Sequence, residues 1–107
     1  MADTIEIVVG PDPTELADLV ADVGGTIGPG EYQLDKISAA APTVWIIERS
    51  RRLSTVDRLA LRTMPGGPPL YKLSDGLGLK RKADSFFYLW TTSGSSVVVL
   101  TPCQVID

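Results

Sequence analysis

Chemistry in a protein rests on side chains that move protons, attack electrophiles or hold metals, and this chain carries few of them. Histidine is absent. That removes the side chain whose unperturbed pKa lies nearest neutrality, and with it the commonest zinc ligand. Serine–histidine and cysteine–histidine nucleophile pairs are therefore excluded. The single cysteine, Cys103, can form no internal disulfide. It stands in an apolar run with Val105 and Ile106, with no base nearby in sequence, and reads as a buried structural thiol.

Paired carboxylates are the next candidates, because they can run hydrolysis or hold Mg²⁺. Glu15, Asp18 and Asp22 fall three and four residues apart and share one face of an expected helix, opposite Leu16, Leu19, Val20 and Val23. One helix offers too flat a ligand set, so this face reads as a solvated acidic stripe. The glycine-rich run at residues 24–30 follows that helix and leads away from it. A phosphate loop does the reverse: it leaves a strand and opens a helix, so that backbone N–H groups face the anion. The turn Gly10-Pro11-Asp12-Pro13 has the right position, but Asp12 and Glu15 would satisfy its N–H groups and repel an anion. No catalytic residue, cofactor site or metal site is read from the sequence, and the chain is expected not to be an enzyme.

The elements that carry these residues follow from periodicity. Ile5, Ile7 and Val9 alternate with polar neighbours and predict a half-buried strand. Asp12 as N-cap, Pro13 in the first turn and Glu15 reaching back predict a helix that Gly24 ends in the left-handed cap position. Strands are expected over residues 31–37 and 43–48, then a helix capped by Ser54 and running to about Met64, where Pro65 and Gly66 stop it. A short strand over Leu70 to Leu73 precedes a strongly β segment at residues 85–92, and a turn at Ser93-Gly94-Ser95-Ser96 returns residues 97–101 as its hairpin partner. Pro102 cannot donate to a ladder, so the last strand is expected to be bulged there or to lie at an edge. This order predicts an α+β two-layer sandwich, ferredoxin-like βαββαβ with an added C-terminal β-hairpin, in one domain spanning residues 1–107. A chain of 107 residues buries about 65% of its extended surface, enough for one core without metals or disulfides. The N-terminus lacks a signal peptide, no apolar run approaches the ~20 residues that span a bilayer, and a cytoplasmic setting is expected.

Charge is the most informative pattern. Residues 1–48 hold nine acids and one base, while residues 49–82 hold nine bases and two acids, so a net charge of −3 conceals two blocks of opposite sign. On a helical wheel Arg58 and Arg62 stand opposite Val56, Leu59 and Ala60, so the second helix is expected to carry a basic outer stripe. Arg49, Arg51 and Arg52 add charge before it, and Lys80-Arg81-Lys82 add more before the aromatic strand.

Three consequences are open at this level. The acidic and basic stripes can meet within one chain and neutralise, in exposed pairs worth only about 0.2–1 kcal/mol each. They can steer association with a protein partner, as a subunit of a homo-oligomer or a small inhibitor-type binding partner. The aromatic strand supports this second reading, because Phe86, Tyr88 and Trp90 point to one side and Phe87 and Leu89 to the other, leaving one set in need of a cover. Alternatively, the basic block 49–82 and the aromatic strand 85–92 bind RNA or single-stranded DNA, phosphates on the bases and nucleobases on the rings. A histidine-free small ribonuclease using arginine, lysine and tyrosine is the enzymatic extreme of that idea. The protein-interaction reading, with no membrane role, is the expectation carried forward.

Overall fold

The computed structural model describes residues 4–36, 43–61, 70–73 and 77–103, apart from the side chains of residues 70–72 and 103. Eight strands and two short helices occur among them: β1 Ile5–Val9, β2 Thr14–Glu15, α1 Leu16–Asp22, β3 Gly30–Lys36, β4 Val44–Arg49, α2 Thr55–Ala60, β5 Leu70–Leu73, β6 Leu77–Arg81, β7 Phe86–Thr91 and β8 Ser96–Cys103. The strands form two four-stranded antiparallel sheets, ordered β1-β8-β3-β6 and β2-β7-β4-β5.

The mixed α+β class stands, but the ferredoxin-like order does not describe this chain. A ferredoxin-like domain has one sheet with helices as the second layer; here the second layer is another sheet. Ile7, Val9, Tyr32, Leu34, Val98 and Leu100 of the first sheet meet Val44, Ile46, Leu73, Phe87 and Leu89 of the second in one continuous core. Leu16, Leu19 and Val20 of α1 join that core from the periphery.

The C-terminal hairpin is also corrected. β7 and β8 are consecutive but lie in different sheets, each central: β8 between β1 and β3, β7 between β2 and β4. The turn that separates them, with Gly94 at φ 70, carries the chain from one layer to the other. Thr91 Oγ1 donates to the Gly94 carbonyl at 2.7 Å. The Thr91 N–H is spent on the Gly10 carbonyl at 2.9 Å.

Side-chain pattern explains which sheet each strand enters. β3 alternates, with Tyr32 and Leu34 buried and Glu31 and Gln33 exposed, as a sheet with one solvated face requires. β4 and β7 are apolar on both faces because their sheet is covered on both. Ile47, Tyr88 and Trp90 turn away from the main core and pack with Leu61, joined by Trp45, Leu53 and Phe86, beneath the α2 segment. The aromatic set expected to need a foreign cover is thus covered from within the chain. Pro102 pairs with Tyr32 of β3, whereas the β1 ladder runs from Val9↔Ser96 to Ile5↔Leu100 and stops two residues short of it. The expectation of a bulge at Pro102 or of an edge position for the last strand is therefore corrected: β8 lies between β1 and β3, and its register with β3 runs without a break through Pro102.

Helix α1 begins later than its sequence predicts. Thr14 and Glu15 pair with Leu89 and Tyr88 of β7, and Glu15, not Asp12, is the N-cap, accepting from the Ala17 N–H at 3.2 Å. The C-terminal end matches expectation: the Gly24 N–H reaches the Ala21 carbonyl and the Gly25 N–H the Val20 carbonyl, both at 3.0 Å, the double bond pattern of a Schellman cap with Gly24 at φ 81. In α2, Ser54 caps as predicted, accepting from the Asp57 N–H at 3.2 Å. The expected extension of that helix to Met64, and the end of the β3 strand at Ile37, lie outside the described residues.

Candidate functional site

The two charge blocks meet at defined points. Glu15 is the deepest: its carboxylate is buried and receives both ends of the Arg81 guanidinium, Nη1 to Oε2 at 3.3 Å and Nη2 to Oε1 at 3.4 Å. Arg81 ends β6 of the first sheet and Glu15 ends β2 of the second, so this bidentate pair ties the layers together at their edges. Glu15 therefore does not belong to a solvated stripe. Asp18 does reach the surface, where Arg52 Nη2 meets Oδ2 at 2.5 Å. Asp22 is exposed at the end of α1.

The basic residues divide in the same way. Arg58 is turned inward and donates from Nη1 to the Pro13 carbonyl at 2.6 Å, so the orientation of α2 is the reverse of the expected one. Val56 and Leu59 are 78% and 40% exposed, while Leu61 at the helix end enters the smaller core. The helix is held instead by the Arg58 bond to Pro13 and by Leu53 and Leu61 at its two ends, which pack with Tyr88 and Trp90. Arg51 is exposed, 3.9 Å from Asp57. Arg49 is half-buried and donates to the Glu48 carbonyl at 3.1 Å. Arg62 lies outside the described residues, as does the side chain of Cys103. Lys80 and Lys82 are exposed beside a groove between β6 and the second sheet. Phe86 is half-buried, and Tyr88 and Trp90 are buried, so neither of these two rings offers a free face. The Tyr88 hydroxyl instead accepts from the Leu53 N–H at 2.7 Å.

Two apolar patches that the charge pattern did not reveal reach the surface, the first through exposed Val8 with half-buried Val97 and Val99, the second through exposed Val56 and Leu59. The first is the outer face of the β1-β8-β3-β6 sheet, which no described helix covers. Val8, 54% exposed, pairs with Val97, and Val99 lies between Glu6 and Asp35 across the strands. Glu31 and Gln33 continue this face along β3, with Glu31 opposite Lys80. The second patch is Val56 and Leu59 on α2, a helix that Arg51 and Arg52 precede in the sequence and that carries Asp57, 3.9 Å from Arg51. Leu53 and Leu61, which flank α2, pack with Ile47, Tyr88 and Trp90 of the second sheet, so α2 and its patch lie on the side of the sandwich away from the outer face of the first sheet. Alternation in β1 and β8 held a signal for the first patch, since valine there occupies positions that a fully solvated face would give to polar residues.

Among the described residues no helix is long and apolar enough to cross a membrane, and no three acidic or cysteine side chains gather as metal ligands. No protein-family model matches the chain, and no curated protein and no solved structure matches it significantly.

Proposed function

We propose that this protein is a non-enzymatic interaction module whose partner is another copy of itself, joined head to tail. The observation that carries this reading is a pair of apolar patches at the surface on opposite sides of one chain, with Val8 exposed on one and Val56 and Leu59 on the other. Val99 stands between Glu6 and Asp35 on the first patch, and Val56 and Leu59 of the second stand on a helix that Arg51 and Arg52 precede in the sequence. The first patch adjoins acids and the second follows two arginines in the chain, so copies stacked face to back would bring apolar surface to apolar surface and opposite charges together. Such a contact is heterologous, and repetition gives a ring where the rotation closes and a filament where it does not. The complementarity of two faces of the same molecule favours a second copy over a target of the inhibitor type.

The intrachain pairs do not cancel this polarity. Arg52–Asp18 and Arg51–Asp57 are exposed and worth about 0.2–1 kcal/mol each, so arginines can exchange partners in a contact. The nucleic-acid reading loses its stacking platform, because Tyr88 and Trp90 lie under the α2 segment.

The test is mass-resolved chromatography at low and high salt, since rim charges act within a Debye length of about 10 Å at 0.1 M. Assembly at low salt is expected, with Arg51→Glu plus Arg52→Glu reducing it to monomer and mixing with Glu6→Lys plus Asp35→Lys restoring it. A wild-type chain that stays monomeric at about 100 μM and low salt refutes the reading by the affinity arithmetic of even weak homo-oligomers. Co-eluting nucleic acid would refute it in favour of the alternative.

A further inference from the structure

A separate surface lies along β6. Among the described residues this strand is hydrogen-bonded on one side only, to β3, and so ends its sheet. Proteins guard such edges with proline, bulges, very short strands or charge, because an open row of N–H and C=O groups is a template for another strand. Here β6 is five residues long, about 16 Å at ~3.3 Å per residue, and it has no proline. Its guard is charge, from Lys80 and the adjoining Lys82.

Beside this edge, between β6 and the second sheet, a groove of about 360 Å³ opens. Its apolar lining comes from Leu77 and Leu79 of β6 and from Ile46 and Phe87 across the gap, while Lys80 and Lys82 bring positive charge and Glu48 one negative charge. The groove is thus apolar along its length and net basic.

The register on the occupied side of β6 shows what its other side would accept. Glu31 stands opposite Lys80, Tyr32 opposite Leu79, Gln33 opposite Gly78 and Leu34 opposite Leu77. Acid meets lysine on the outer face, and apolar meets leucine on the inner one. A strand arriving at the outer edge faces the same two rows, with the groove ready to receive its inward side chains. A second β6 is the wrong guest, since its charges, Lys80 and Arg81, are both basic and would meet an edge already basic.

We propose that the outer edge of β6 docks an extended segment of another protein, acidic and apolar at alternate positions, as a fifth strand of the first sheet. This surface is distinct from the contact between copies, which uses the outer faces of the sandwich and not this edge. The two therefore stand or fall separately.

The probe is a capped peptide copying residues 30–36, the sequence of β3 itself, titrated into the ¹⁵N-labelled full chain. Saturable shifts are expected in the amides of residues 77–82, with slowed hydrogen exchange at alternate β6 positions. Replacing the peptide glutamate by lysine is expected to weaken binding roughly tenfold. Lys80→Glu is expected to reverse that preference, and its amide spectrum reports that the fold is kept. Absence of shifts at millimolar peptide overturns the proposal. So does equal binding of the two peptides, or a perturbation centred on β8, which would mean that the peptide replaces β3 instead of extending the sheet.

Discussion

Replacing Arg81 by methionine removes one half of the buried ion pair that joins the two sheets and keeps most of the side-chain volume. The Glu15 side chain is 1% exposed and that of Arg81 12% exposed, so water cannot take over the lost contacts. Removing one partner of a buried pair costs about 3–5 kcal/mol, because the remaining charge stays in a site of low dielectric. The contacts here are long, at 3.3 and 3.4 Å, and the Ala17 N–H still serves the carboxylate. The lower end applies, about 3 kcal/mol, a large share of the ~5–15 kcal/mol that holds a typical domain together. For a chain of 107 residues that lowers the melting temperature by roughly 12 °C, at about 4 °C per kcal/mol.

The assay is urea unfolding followed by the fluorescence of Trp45 and Trp90, run as a double-mutant cycle with Glu15→Gln. The double variant is expected to be less destabilised than the sum of the singles by at least about 1.5 kcal/mol, within the range seen for side chains in direct contact. Asp18→Asn supplies the control. It breaks the Arg52 pair, whose side chains are 57% and 45% exposed, and is expected to cost no more than about 1 kcal/mol. A loss below about 1 kcal/mol for Arg81→Met, with coupling near zero, refutes the claim that this pair ties the layers.

Two smaller predictions concern local devices. Tyr88→Phe deletes the hydroxyl that accepts from the Leu53 N–H at 2.7 Å; chemical denaturation is expected to show a loss of about 1–2 kcal/mol, with faster hydrogen exchange at Leu53. Gly24→Ala meets no atom within 4 Å, so its cost is backbone strain at φ +81 alone; a loss of about 1 kcal/mol is expected in the same assay.

Much of the fold was legible locally. Each strand and helix that the sequence predicted appears among the described residues, because alternation and capping act over a few positions. Two strands were missed, for different reasons. β6 was hidden by its own charges, although Leu77 and Leu79 carry a period of two. β2 has two residues and exists only because β7 lies beside it. The candidate surfaces were less legible. Arg58 and Glu15 read as exposed charge but are held within the fold by the Pro13 carbonyl and by Arg81, contacts that span 45 and 66 residues. Val56 and Leu59 read as a buried face and are exposed.

The lack of histidine, the lone cysteine and the segregation of acids from bases are properties of the sequence alone, and they hold whatever the fold. So are the helix caps at Ser54 and Gly24, whose geometry needs only neighbouring residues. Tertiary structure decided the rest. It sent β7 and β8 into different sheets, and so placed Tyr88 and Trp90 beneath a cover from their own chain. The physical reason is that an apolar strand records how many of its faces are buried, not what buries them. Pairing between distant strands supplies that second fact. It left Val8, Val97 and Val99 on an open sheet face and turned an acidic stripe and a basic stripe into one buried tie and two exposed pairs among the described residues.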